Sequence, residues 1–140
     1  MRSIRLTEQP PTVRWGIYLL GADAIVALLI LLFTSGALFL ELDLVVAFVL
    51  ALQIVQLALV FAVATGRRWA FIVYVLWFLW GVVHVSLDLR VYLDSGALNF
   101  GWIVISPVIE GVGIALLLTP AARAWFESRQ APRAGSEPAA

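Results

Sequence analysis

Four long apolar runs, separated by short polar segments, organise the sequence. Between Arg14 and Glu41 the only charged residue is Asp23. Between Asp43 and Arg67, and again between Arg68 and Asp88, there is none; between Asp94 and Arg123 the only one is Glu110. A helix needs about 20 apolar residues to cross a bilayer core of about 30 Å, and each run supplies them. Within lipid the backbone must satisfy its own hydrogen bonds, so the runs are expected to be α-helices. The expected spans are about 16–38, 43–65, 69–90 and 98–118. The breakers Ser35-Gly36, Gly66-Arg67-Arg68 and Asp94-Ser95-Gly96 fall between them. Connections this short make consecutive helices antiparallel neighbours. The expected fold is therefore all-α: a polytopic membrane protein built as an antiparallel four-transmembrane-helix bundle over residues 15–122. The polar stretches 1–14 and 123–140 read as flexible tails.

Composition agrees with the pattern. Hydrophobic residues make up 63% of the 140 and charged residues 13%, with a mean hydropathy of +1.01. Soluble domains run nearer half apolar and a quarter charged, which excludes a soluble globule or a disordered chain. The first apolar run is too long for a cleaved leader, carries Asp23 and is followed by three more, so it is expected to be retained.

Charge placement gives an orientation. Arg2, Arg5 and Arg14 precede the first run, Arg67 and Arg68 lie between the second and third, and Arg123, Arg129 and Arg133 follow the fourth. The other two connections carry Glu41, Asp43, Asp88 and Asp94 with Arg90 alone as a base. The positive-inside rule puts both termini and the middle connection in the cytoplasm, in a multi-pass protein of the cell inner membrane. Trp15, Trp69 and Trp125 fall at the expected inner boundary and Tyr92, Phe100 and Trp102 at the outer one, where aromatic belts sit.

Several chemistries are excluded. There is no cysteine, which removes disulfides and thiolate sites, and one histidine, His84, so no metal site is expected. The formal net charge is zero, with no basic stripe for nucleic acid. No phosphate-binding glycine loop or metalloprotease motif is present, and no cofactor is expected. The expected partners are the lipid bilayer and either further copies of the chain or a membrane subunit.

The polar residues inside the runs remain. They are Asp23, Gln53, Gln56, His84, Asp88 and Glu110. Counted at 1.5 Å per residue, Asp23, Gln56, Trp77 and Glu110 share one layer about 12 Å from the inner boundary. Gln53 and Gln56 share a helix face; so do Tyr74, Trp77, Gly81, His84 and Asp88, and so do Asn99, Ser106, Glu110 and Gly113. Pro107 frees the carbonyl of Ile103 and is expected to open the fourth helix locally. The glutamines read most simply as interhelical hydrogen-bond partners, and His84 as a partner of Asp88 one turn on. Asp23 and Glu110 are the stronger signal. They are two acids at one depth with no cation inside the spans, so at least one is expected to be neutral. Three function classes follow: a non-catalytic membrane component with a buried acidic cluster, which leads; a proton- or cation-coupled small transporter or channel subunit; and a lipid or isoprenoid isomerase or cyclase using a buried carboxylic acid.

Overall fold

The computed structural model describes residues 9–34, 44–87 and 97–130. In chain order the helices are α1 (Pro11–Thr34), α2 (Leu44–Ala64), α3 (Arg68–Leu87), α4 (Ala97–Leu117) and α5 (Pro120–Gln130), with no strand among the described residues. α1, the Val46–Ala64 part of α2, and α3 are each long and apolar enough to cross a membrane. The fourth candidate is Gly101–Leu117 of α4, which meets α5 at a bend of 66°. α4 has 21 residues in all, a length of about 31 Å at 1.5 Å per residue. The protein is an all-helical membrane bundle.

The buried residues show how the helices run. Val13, Ile17 and Leu20 come from the first half of α1, and Leu59, Val60 and Val63 from the last half of α2. Ala70, Phe71 and Tyr74 open α3, while Ile114 and Leu117 close α4. These groups meet in one cluster only if successive helices are antiparallel, as the short connections predict. The core therefore occupies one end of the bundle. At the other end much of the apolar surface faces outward, including Phe33, Phe48, Val83 and Leu87. Water would penalise that distribution; lipid does not.

α1 and α4 form the closest pair, and α3 and α4 touch sparsely. Glycine permits the close approach. A Cβ built on Gly16 would lie 3.0 Å from the carbonyl oxygen of Gly113 and 2.9 Å from Leu117 Cγ. One built on Gly113 would lie 2.7 Å from Leu20 Cδ2. Gly113 thus serves helix packing, as its sequence setting indicates.

Helix boundaries follow local chemistry. α1 begins at Pro11, inside the stretch read from the sequence as a tail, because proline suits the first helical position where no N–H is needed. α2 ends at Ala64 and is closed off by Gly66, whose φ of +83° makes a turn in which Gly66 N–H donates to Val63 O and Arg67 N–H to Ala62 O. The region after residue 123, also read as a tail, instead carries α5 to Gln130. Thr119 precedes Pro120 and accepts Ala122 N–H on its hydroxyl at 3.4 Å, a cap and a first-turn proline together. Ala122, Trp125 and Phe126 of α5 are buried against the core. Trp125, expected at the membrane boundary, is thus an interior residue, whereas Trp15 and Trp69 are exposed.

Candidate functional site

The polar layer lies where the packed end stops. Asp23 is 1% exposed and Glu110 8%, and Gln56 is buried beside them. Tyr74 joins the group from α3. Its hydroxyl donates to Glu110 Oε1 at 2.6 Å. Gln56 Nε2 donates to the same oxygen at 2.8 Å and to the Tyr74 hydroxyl at 3.2 Å. Three helices are thereby tied by a closed triangle in which each donor finds an acceptor. Such closure is needed because an unsatisfied polar group at membrane depth costs several kcal/mol.

α1 contributes the fourth member. The Asp23 carboxyl adjoins Glu110 and Ser106 of α4, and all three line the same cavity. The matched depth of Asp23 and Glu110, inferred from counting residues, therefore corresponds to direct proximity. The group is incomplete on one side, since Asp23 Oδ1 is buried with no hydrogen-bond partner among the described residues.

Above the acids, away from the packed end, lies a cavity of about 260 Å³. Asp23, Gln53, Gln56 and Glu110 line it together with Trp77 and Trp102. The α4 wall includes Ser106 and Pro107, so the proline sits in the cavity wall, with Ile103 beside it. Gln53 Oε1 and Trp102 Nε1 are buried without partners among the described residues, as Asp23 Oδ1 is. Two unsatisfied acceptors and one unsatisfied donor thus belong to residues around a single void. Such groups normally bind water or a ligand. The volume far exceeds the 10–15 Å³ that one water requires and falls just under the roughly 300 Å³ at which drug-sized pockets begin.

The structure brings together Asp23, Gln53, Gln56, Trp77 and Glu110. It places His84 elsewhere: the residue is exposed on α3, outside the cavity lining, with its ring edge-on to Trp80 at 5.3 Å between centroids. Asp88 lies outside the described residues. No group of three or more metal-ligating side chains occurs among the described residues. Sequence reasoning put Tyr74 and Ser106 on the polar helix faces without giving them a role, and put Trp102 in the outer aromatic belt, whereas its indole lines the cavity. Tyr74 stands three residues before Trp77, and Ser106 four before Glu110, so helical spacing was the available signal. Comparison with family models, characterised proteins and solved structures finds no match to this chain.

Proposed function

We propose that the chain is a non-catalytic membrane component that binds a proton and a small cationic solute at one site, acting as a proton-coupled carrier or as a subunit of one. The observation that supports this most is the Asp23–Glu110 pair opening onto a cavity with an unpartnered carboxylate oxygen. Two facing carboxyls without a neighbouring cation hold one proton between them. A bound cation supplies the missing positive charge and releases that proton, so the two ligands compete. Trp77 and Trp102 beside the acids offer π faces for the same cation. The cavity volume favours a compact solute over a long lipid. This moves transport ahead of the purely structural role that the sequence favours. A protonating enzyme is the second reading, favoured by the same juxtaposition of acid and tryptophan.

The setting belongs to this reading. Arginine placement supports a cell inner membrane location with both termini cytoplasmic. The sparse contact between α3 and α4 leaves one side of the cavity thinly walled, which suits self-association or a partner subunit.

The test titrates purified protein with tetraethylammonium, a compact cation that does not cross lipid unaided, in weakly buffered detergent while a pH dye records protons. Wild-type protein should release up to one proton per cation bound, and Asp23→Asn and Glu110→Gln should abolish the release. Uptake into proteoliposomes should depend on a pH gradient and fail in the same variants. Equal release or uptake by wild type and variants overturns the proposal. Alteration of added isoprenoids, detected by mass spectrometry, would favour the enzyme.

A further inference from the structure

A second site lies at the opposite side of the core. The turn after α2 and the start of α3 carry Arg67 and Arg68, both exposed, and α5 brings Arg129 to the same place. These three arginines line a recess of about 1150 Å³ with no acidic residue among the described residues of its wall. Its formation follows from the turn. Gly66 takes a positive φ, and the space a Cβ would fill there is occupied by the Arg129 stem at 2.9 Å. The Arg129 guanidinium lies 5.7 Å from the centre of the buried Trp125 ring. α5 is thereby fixed against the α2–α3 turn, and three positive charges are gathered at one rim.

The recess changes character with depth. Its rim is charged and lies where α2 and α5 end and α3 begins. Phe61 lies six residues before Arg67 and Ile72 four after Arg68, so the wall becomes apolar about 6–9 Å further in. Both side chains are exposed, as is Trp69 at the rim. A charged rim above an apolar wall has the profile of a phospholipid: phosphate above, acyl chain below.

We propose that this recess binds an anionic phospholipid, with its phosphate held by Arg67, Arg68 and Arg129 and an acyl chain lying against Phe61 and Ile72. Arginine suits phosphate because its planar fork donates two parallel hydrogen bonds. Basic recesses between membrane helices are where such headgroups are held. The site is independent of the acid pair and stands whether or not that pair couples protons to a solute.

The experiment uses the full chain in detergent, with phosphatidylglycerol, phosphatidylcholine and inorganic phosphate as separate probes. Native mass spectrometry reads lipid retention and thermal unfolding reads stabilisation. Phosphatidylglycerol should be retained and should raise the melting temperature, while the other two should do neither. The double substitution R67Q/R68Q should weaken phosphatidylglycerol binding by about tenfold or more. R67K/R68K, which keeps the charges but loses the planar forks, should bind more weakly than wild type and more tightly than R67Q/R68Q, and Arg123→Gln, which changes an exposed arginine outside the recess, should leave binding intact. Equal binding of phosphatidylcholine overturns the proposal, as does stabilisation by inorganic phosphate alone. So does an Arg123→Gln loss as large as that of the double variant, which would indicate diffuse charge. If R67Q/R68Q fails to fold, the wild-type comparison of the three probes decides the matter.

Discussion

At the scale of single residues, Tyr74 has the most to reveal. Its hydroxyl donates to Glu110 and accepts from Gln56, so it holds α2, α3 and α4 in one register. Tyr74→Phe keeps the buried ring and removes only the oxygen. Hydrogen bonds between membrane helices average about 0.6 kcal/mol, but two interactions end here and both partners stay buried. A loss of about 1–2 kcal/mol is expected, read as a lowered melting temperature in detergent. An unchanged melting temperature would show that the triangle contributes nothing to the fold. Asp23 and Glu110 were legible from the sequence because an acid inside an apolar run has few tolerable surroundings, and counting turns gives its depth. Tyr74 was less legible because a tyrosine in such a run also fits a belt or a core. His84 shows the limit of helical stripes. Ten residues beyond Tyr74, it points about 80° away from Tyr74's direction. Near that end the described parts of α3 and α4 hardly touch, and the His84 side chain is exposed.

At the scale of elements, two contacts carry predictions. α1 and α4 cross at Gly16 and Gly113, where the nearest neighbour of an added methyl group at Gly16 includes backbone that cannot swing aside. Gly16→Ala should cost about 1–3 kcal/mol by overpacking, measured by thermal unfolding. Gly21→Ala is the control, since its Cβ would meet only Val60 at an ordinary 3.8 Å; equal effects would refute a tight crossing. α5 supplies the second case. Trp125 is buried beneath the α2–α3 turn, so Trp125→Ala should destabilise by about 3–5 kcal/mol. A change within 0.5 kcal/mol, typical of surface positions, would mean that α5 does not dock. α5 was hidden in the sequence by its polar composition, which resembles a tail. The readable feature was spacing: Ala122, Trp125, Phe126 and Arg129 fall at i, i+3, i+4 and i+7, one face of a helix. The four long helices were legible because lipid demands length and apolarity and little else.

At the scale of the whole molecule, the lack of cysteine makes orientation directly measurable. Single cysteines at Ser128 and Ser95 are unique reporters in intact cells. An impermeant maleimide should label Ser95→Cys, between α3 and α4, and spare Ser128→Cys until the membrane is broken. The reverse pattern would invert the proposed topology. The concentration of buried residues at one end has a further consequence, for local motion. Val13, Leu20, Val63, Tyr74 and Leu117 are almost fully enclosed, whereas the segments beyond the acids have few such neighbours. Opening free energies follow the density of such contacts. The enclosed end should therefore act as a fixed pivot from which the far ends of the helices swing, and deuterium uptake should rise steadily from the α5 side toward Thr34 and Leu87.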